Sequence, residues 1–376
     1  MSHLRICLVS AAFRPYLSGV SEHVHNLGVQ FQKCGHRVHI LTTHYPHTAR
    51  KPDSIPVTRI GRALILPANH SRFTLPIGQN MPCSVKRFFG QHRFDLVHCH
   101  GLFPPEIAYW AARYATVPTV VTFHTLGVNL PAIVRKGFKI MFSGLQDRIA
   151  GRIAVSRAGR DWAKQWFPGE YHIIPNGVDL ELFNPRAALP GVLEDNRPSV
   201  LFVGRIERRK GLSILLHAMP EIIASVPEVK LVVIGSGPLE NKCQDIAISL
   251  GIRPRVYFAG RIPKDQLPGY YAGCTVFASP ALGGEAMGIV LIEAMAAGKP
   301  VVASAIPGYD EVITSNQNGI LVPPANPKAL AKAIISLLTS DRLREKLSQQ
   351  SRFSARKFAW PKIARQVESV YKEALN

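Results

Sequence analysis

Two carboxylates in one segment are the clearest chemical feature of this 376-residue sequence. Glu285 and Glu293 stand eight residues apart, and a glycine pair comes just before the first of them. The alanines and long aliphatic residues between them favour an α-helix, and the run Gly298–Pro300 predicts its end. The pattern therefore predicts a helix over Glu285–Ala297, with Glu285 and Gly288 at its start.

The start of such a helix suits a sugar phosphate. The first N–H groups of a helix have no partner within it and carry partial positive charge, which favours a bound phosphate. Met287, Gly288 and Ile289 would supply them. A carboxylate at an anion site makes sense if the ligand also offers hydroxyl groups. Glu293, two turns on and roughly 12 Å along the axis, would then contact the other end of one long ligand.

A basic turn follows a strand-like run in the second half of the chain. After Val200–Val203 come Gly204 and Arg205, then Lys210 before a helical pattern. Ligands in doubly wound folds bind beyond the carboxyl ends of the strands. An arginine contacts two phosphate oxygens at once and a lysine adds a point charge, so Arg205 and Lys210 are candidates for neutralising a diphosphate. We expect their neighbours to be exposed, namely Arg208 and Arg209.

The first half carries two further candidate segments, each just after a strand-like run. His124 and Thr125 follow one such run. Gly19 follows the first strand and opens the first helix, where a glycine lets the backbone approach a phosphate. Tyr16 and Ser21 lie on either side of that glycine.

These motifs resemble a known family. The run Gly-Gly-Glu-Ala-Met-Gly-Ile-Val-Leu-Ile-Glu-Ala-Met-Ala-Ala-Gly over residues 283–298 is similar to the E-x7-E signature of retaining glycosyltransferases of family GT4, which have the GT-B fold. It is most similar to their phosphatidylinositol mannosyltransferase branch. The segment from Gly204 to Gly211 resembles the family's G-R-x(3–4)-K-G pattern, and Phe123-His124-Thr125 resembles its F-H-[TD] motif.

The resemblance implies a transferase that moves a hexose, expected to be mannose, from a nucleoside diphosphate sugar with retention of configuration. GDP-mannose is the favoured donor and UDP sugars remain open; no permanently bound cofactor and no metal are expected. His124, Arg205, Lys210 and Glu285 would be catalytic. The expected donor-binding residues are Gly19, Gly204, Met287, Gly288, Ile289 and Glu293. The expected acceptor-binding residues are Tyr16, Ser21 and Thr125.

The expected acceptor is a membrane lipid or glycolipid such as phosphatidylinositol. Two positions depart from the family pattern near it. Ser18 stands where the family has the first of two glycines, and a serine fits there if its backbone torsions are ordinary. Ser21 stands where the branch has a glutamine near inositol, which weakens the case for that acceptor. A UDP-sugar-dependent transferase acting on a soluble or polysaccharide acceptor is the alternative.

The alternation of strand-like and helical patterns predicts two doubly wound, Rossmann-like α/β domains. One strand is expected over Leu64–Pro67. The predicted domains are residues 1–180 with 360–376, for the acceptor, and residues 181–359, for the nucleotide sugar. The resemblance implies that they face each other across a cleft and that the C-terminal helix crosses back to the first domain.

The net charge and the cysteines indicate the type of partner and the cellular location. The net charge is +20, and residues 1–176 hold 21 Lys and Arg against 7 Asp and Glu. Such an excess predicts an anionic partner. Six scattered cysteines without CxxC pairs fit reduced thiols. We therefore expect a cytoplasmic protein, peripheral on an anionic membrane, and leave the oligomeric state open. Two segments mix cations with apolar residues as interfacial helices do, residues 85–94 and 130–145.

Rival interpretations explain less of the sequence. An epimerase or phosphorylase could share the fold, but no lysine motif for pyridoxal phosphate is evident. A nucleic-acid binder would account for the charge, but it leaves the paired glutamates unexplained. His98 and His100 alternate along a strand end without a companion pair, so we do not expect a metal site there. The segment resembles the family's H-x-H segment, which implies a mainly architectural role with occasional contact to the site.

Overall fold

A computed structural model describes residues 3–16, 18–45, 54–68, 71–77, 80–102, 105–126 and 132–376, without the side chains of 63–68, 71–77 and 132–135. The chain divides into two compact units. The first consists of Met1–Asn176 with Trp360–Asn376, and the second of Gly177–Ala359.

The first unit is built on an eight-stranded sheet. Its strands are β1 Arg5–Ser10, β2 Arg37–His44, β3 Val57–Ala68, β4 Ser71–Ile77, β5 Leu96–His100, β6 Thr119–Phe123, β7 Ile149–Ala154 and β8 His172–Ile173. They lie in the order β4-β3-β2-β1-β5-β6-β7-β8, and every neighbouring pair is parallel except β3 with β4. Helices cover both faces, so the central strands β5 and β6 are buried along their whole length.

Five helices connect the strands in the described part of this unit. They are α1 Gly19–Lys33, α2 Met81–Gln91, α3 Ile107–Tyr114, α4 Ala132–Ser143 and α5 Arg157–Ala163. Apolar residues of α1 pack on one face of the sheet, and those of α2 and α3 pack on the other. The sheet therefore holds the residues at its strand ends between two cores.

The second unit has a six-stranded parallel sheet. Its strands are β9 Ser199–Val203, β10 Lys230–Ile234, β11 Val256–Gly260, β12 Val276–Ser279, β13 Val301–Ser304 and β14 Ile320–Val322, in the order β11-β10-β9-β12-β13-β14. Its helices are α6 Leu212–Ser225, α7 Glu240–Ser249, α8 Leu267–Gly273, α9 Ile289–Ala296, α10 Pro327–Thr339 and α11 Asp341–Ala355. The strand order reverses between β9 and β12, which is where doubly wound folds bind ligands.

The last helix, α12 Trp360–Leu375, belongs to the first unit. Its buried residues Val367 and Tyr371 share a core with Val24 and Leu27 of α1. The predicted fold, two doubly wound α/β units with a C-terminal helix that returns to the first, is confirmed. Among the described residues, none of the helices is long and apolar enough to span a bilayer.

The structure corrects the prediction for the glutamate segment. The helix α9 begins at Ile289, so Glu285 precedes it in a loop. Gly283, Gly284 and Gly288 have φ values of +144°, +72° and +80°. Positive φ is incompatible with a right-handed helix, and these three glycines delay its start.

Candidate functional site

In the second unit, the loops after β9 and β12 are held against each other. The backbone N–H of Leu282 donates to the carbonyl oxygen of Arg209 at 2.8 Å. Gly211, with φ +70°, lies so close to Pro280 that a Cβ there would overlap the Pro280 carbonyl oxygen. The absent side chain of Gly211 therefore lets two neighbouring strand ends bring their loops into contact.

Glu285 lies between two cations at this contact. It is 7% exposed, and its Oε1 accepts from Lys210 Nζ at 2.7 Å and from the guanidinium of Arg209. The same guanidinium donates to the carbonyl oxygen of Gly284 at 3.3 Å. A buried carboxylate is stable only when paired, so this arrangement fixes the position of Glu285.

A second carboxylate extends the cluster. Glu207 is 2% exposed and contacts Arg209 Nε at 2.6 Å and the guanidinium of Arg205 at 3.3 Å. Three cations thus share two carboxylates, which leaves a net positive charge beside α9.

Arg209 is the residue that the sequence prediction missed. Arg208 is exposed as expected, but Arg209 is half-buried and joins both carboxylates. A single turn of 3-10 helix over Arg208–Lys210 aims consecutive basic side chains in different directions. The sequence alone does not show which of these three consecutive basic residues points inward. Lys210 contacts Glu285 directly, and Arg205 is linked to Glu285 through Glu207 and Arg209.

The first turn of α9 lies next to this cluster in sequence. Gly288 precedes it with φ +80°, and a Cβ at Gly288 would overlap the ring of Tyr309. Tyr309 is buried, and its hydroxyl is 2.8 Å from Ser279 Oγ. Burial, and secondarily the charge of Glu285, raises the pKa of Tyr309 well above its usual range. Within the described residues, the cap residue Gly288 makes no side-chain hydrogen bond to the first turn of α9, and a helix start is a position that favours a bound anion.

Glu293 lies further along α9 and is half-buried. The hydroxyl of Tyr271 donates to its Oε2 at 2.8 Å. Burial raises the pKa of Tyr271 well above its usual range, and the neighbouring carboxylate adds to that shift. Gly204, at the end of β9, donates its N–H to the carbonyl oxygen of Ile234 at 2.9 Å.

The first unit gathers histidines at its strand ends. His124 follows β6, and its Nε2 lies 2.9 Å from Nδ1 of His100 at the end of β5. His23, on α1, stacks edge-on against His124 with ring centroids 4.6 Å apart. His98 is buried between the hydroxyls of Tyr371 and Thr122, both at 2.7 Å, which agrees with the architectural role predicted for it.

Burial keeps these imidazoles neutral. It lowers the pKa of His23 to about 4 and that of His98 to about 3. Burial also lowers the pKa of His100 and of His124 well below the usual value, and the neighbouring rings add to the effect. At pH 7 each ring therefore has one N–H and one lone pair to offer.

The other predicted residues of the first unit lie around α1 and β6. Ser18 has φ −150°, and its hydroxyl caps α1 by accepting from the N–H of Ser21 at 3.1 Å, so a serine fits the position without strain. Gly19 is the first residue of the helix. Tyr16 stacks on Tyr45 with ring centroids 4.9 Å apart. Thr125 is exposed beside His124, whereas Ser21 is fully buried.

The two segments proposed as interfacial differ in the structure. The apolar side of α2, including Val85 and Phe88, packs into its own core. In α4, Ile140 is 68% exposed and Met141 is 44% exposed, next to exposed Lys136 and Lys139. Residues 127–131 lie outside the described part of the chain, as do the side chains of 132–135. The mixed cationic and apolar surface is therefore on α4 rather than on α2.

Comparison with known proteins relates this architecture to a family. The family described as "Glycosyltransferase Family 4" matches residues 17–182, and "Glycosyl transferases group 1" matches residues 190–353. The phosphatidyl-myo-inositol mannosyltransferase of Mycobacterium leprae is 33% identical over 356 residues, which are 94% of this chain and 92% of that protein. The chain belongs to glycosyltransferase family 4. This glycosyltransferase also resembles solved structures in fold. A Rickettsia africae glycosyltransferase superposes with a TM-score of 0.78 at 21% identity over 100% of both chains. An Anabaena protein solved in complex with UDP-glucose gives 0.77 at 20% identity over 98% of this chain and 100% of that one.

Proposed function

We propose that this glycosyltransferase moves a mannosyl group from GDP-mannose to a lipid acceptor such as phosphatidylinositol, with retention of configuration. The observation that carries the proposal is the buried Glu285 held between Arg209 and Lys210, beside the start of α9, whose cap residue is Gly288. The likeness to mannosyltransferases over 94% of the chain supports the choice of sugar.

The cluster is suited to the departure of a nucleoside diphosphate. As the glycosidic bond breaks, negative charge develops on the leaving phosphate and positive charge on the sugar. Arg205, Arg209, Lys210 and the backbone N–H groups near Met287–Ile289 would stabilise the anion. Donors that are already in place stabilise developing charge most effectively.

Glu285 would exchange partners when the donor binds. In the structure, its carboxylate pairs with Arg209 and Lys210. A diphosphate competes for the same two cations with more charge and more oxygens. Glu285 would then accept hydrogen bonds from the sugar hydroxyls, and Glu293 from the ribose.

Retention requires no base from the protein if the leaving phosphate takes the acceptor's proton on the same face of the sugar. His124 would contact the sugar as a neutral imidazole, in agreement with its lowered pKa. Cationic side chains supply charge that a metal ion supplies in other transferases, so we expect full turnover in the presence of a chelator.

The acceptor side of the proposal depends on charge and on α4. Residues 1–176 carry 21 cationic against 7 acidic side chains, and α4 exposes Lys136 and Lys139 beside Ile140. Cations and apolar side chains on one surface bind anionic lipid headgroups and the acyl boundary. We therefore propose a protein peripheral to an anionic membrane.

A donor screen tests the proposal. The purified protein is incubated with GDP-mannose, GDP-glucose, UDP-glucose or UDP-N-acetylglucosamine, with phosphatidylinositol vesicles, and the products are separated and their anomeric configuration is read by NMR. We expect a mannosylated lipid of the α configuration from GDP-mannose alone. Transfer from a UDP sugar to a soluble or polysaccharide acceptor would instead support the alternative activity, and no transfer from any donor would refute both.

A further inference from the structure

Three histidine rings of the first unit form a cluster that the proposed reaction does not fully use. One ring nitrogen from each of His23, His100 and His124 lies within 4.8 Å of the other two. The rings come from α1, from the end of β5 and from the residue after β6. The sheet and α1 are fixed by a common core, so their positions do not depend on a mobile loop.

Two of these rings have a nitrogen without a partner. Nε2 of His23 and Nε2 of His100 are buried, and neither makes a hydrogen bond within the described part of the chain. Buried polar atoms are nearly always satisfied by protein, water or a bound ion. Two unsatisfied imidazole nitrogens in one cluster therefore indicate a bound water or ion, and a nitrogen that carries a lone pair can bind a cation.

The hydrogen bond behind His23 fixes which nitrogen carries the lone pair. Its Nδ1 lies 2.9 Å from the side-chain oxygen of Asn176, Oδ1. An amide oxygen only accepts, so Nδ1 carries the hydrogen and Nε2 carries the lone pair. Metal-binding histidines are oriented in this way, by a hydrogen bond from the ring N–H to a carbonyl or carboxylate oxygen.

We propose that His23, His100 and His124 bind one Zn²⁺ ion, each through one ring nitrogen, with water or an anion in the fourth position. Three histidines with an open position are a known zinc arrangement, and Zn–N bonds of about 2.0–2.1 Å place tetrahedral ligands roughly 3.4 Å apart. Since the three nitrogens lie within 4.8 Å of one another, ring movements of about an ångström would be needed for all three to bind one ion. Binding would replace the hydrogen bond between His100 and His124.

The ion would act on the proposed function, and this step rests on that function. A zinc ion on His124 would remove its imidazole from the sugar, so Zn²⁺ and the nucleotide sugar would compete. Three neutral ligands leave the ion's double charge uncompensated, so we expect an anion such as hydroxide or phosphate in the open position.

Metal binding is measured directly, without any sugar present. The untagged chain is stripped with a chelator and dialysed against Zn²⁺, the bound ion is quantified, and the dissociation constant is obtained by competition with a chromophoric chelator. The variants are His124→Ala, at a half-buried position, and His23→Gln. The control is His92→Gln, which removes one ring of a separate histidine pair whose other member is His39, 5.2 Å away between centroids.

We expect one ion per chain in the unsubstituted protein and in the control, and affinity at least about 10-fold weaker in both test variants. Circular dichroism in chelator confirms that each variant is folded; if His23→Gln is not, His124→Ala decides. Unchanged affinity in His124→Ala, or no bound ion in the unsubstituted chain, would overturn the inference. A chain that transfers mannose but binds no Zn²⁺ overturns this inference alone, and one that binds Zn²⁺ but transfers no sugar overturns only the proposed function.

Discussion

Arg209 and Lys210 hold Glu285 in place, and the proposed donor must compete with Glu285 for these two cations. Its carboxylate is nearly buried, and Arg209 and Lys210 satisfy it. A glutamine has the same shape but no charge, so it cannot balance these cations or strengthen its hydrogen bonds to a sugar that becomes positive. The proposed role of Glu285 therefore requires its negative charge as well as its position.

We expect Glu285→Gln and Lys210→Ala each to lower kcat by about 100- to 1000-fold while the fold stays intact, because removal of a preorganised electrostatic partner has an effect of this size. The matched control is Arg208→Ala, which removes an exposed cation from the same turn. It should change kcat by no more than a few-fold. Steady-state assays with the productive donor give the values, and near-normal turnover in either test variant would refute its assigned role.

At the scale of elements, the loops after β9 and β12 depend on Gly211. Its φ of +70° disfavours any other residue, and the Pro280 carbonyl oxygen occupies the space of a Cβ. Gly251 has nearly the same torsion, φ +67°, but nothing lies within 4 Å of a Cβ built there. The two glycines therefore separate backbone strain from steric overlap.

We expect Gly251→Ala to lower the free energy of unfolding by about 1 kcal/mol, from the left-handed torsion alone. Gly211→Ala should lower it by about 3 kcal/mol or more, because the loops must also move apart. Both positions are in the second unit, and all the tryptophans lie in the first, so urea unfolding is followed by far-UV circular dichroism and not by fluorescence. Equal losses in the two variants would show that the contact with Pro280 contributes nothing.

The sequence predicted the parallel elements of this fold well and its irregular ones poorly. The runs at β1, β6 and β10 are continuous and apolar, because both faces of their sheets are buried, and such runs are recognisable without a partner. The prediction of Leu64–Pro67 found part of β3, but not its antiparallel pairing with β4. Pairing is a long-range choice that no local pattern records.

The same limit applies to the site. The spacing from Glu285 to Glu293 identified the segment that carries the buried carboxylate. It did not predict where α9 begins, because three glycines with positive φ delay the helix although the surrounding alanines favour one. His23, on the first helix, meets His100 and His124 only because α1 packs across the sheet. Proximity of this kind follows from the tertiary fold and could not be derived from spacing.

At the scale of the molecule, the stability of the first unit depends on pH through its neutral, buried histidines. His98 and His23 have pKa values of about 3 and about 4 when folded, and burial is the main cause. An unfolded histidine has a pKa of about 6.5. Below that pH the unfolded state binds protons that the folded state does not, so stability falls as the pH decreases.

We expect His23 and His98 together to lower the free energy of unfolding of this unit by about 2 kcal/mol between pH 6.5 and 5.5 in chelator. The unfolded side chains are already half protonated at pH 6.5, so each of the two contributes about 1 kcal/mol over this interval. All four tryptophans, Trp110, Trp162, Trp166 and Trp360, belong to the first unit, so their fluorescence in urea reports its unfolding. His98→Gln should reduce the slope by one histidine's share. His217→Gln, on the exposed side of α6, should leave it unchanged.

The charge distribution of the chain makes membrane binding a property that can be tested apart from catalysis. Lys136 and Lys139 are exposed on α4 beside Ile140. A lysine near an anionic surface contributes about 1 kcal/mol to binding, so the double substitution Lys136→Glu and Lys139→Glu should weaken partition into phosphatidylinositol vesicles by about 30-fold or more. Cosedimentation at low and high salt measures this, and salt should weaken binding of the unsubstituted chain.

The matched control for that experiment is Lys332→Glu with Lys346→Glu, at exposed positions on α10 and α11 of the second unit. It makes the same change in net charge, so it separates the α4 surface from the overall excess of +20. If the protein binds by charge alone, both double variants lose affinity equally. If α4 is the surface that meets the lipid, only the first does, and Ile140→Ser should weaken binding at high salt, where the apolar contribution persists after the electrostatic one is screened.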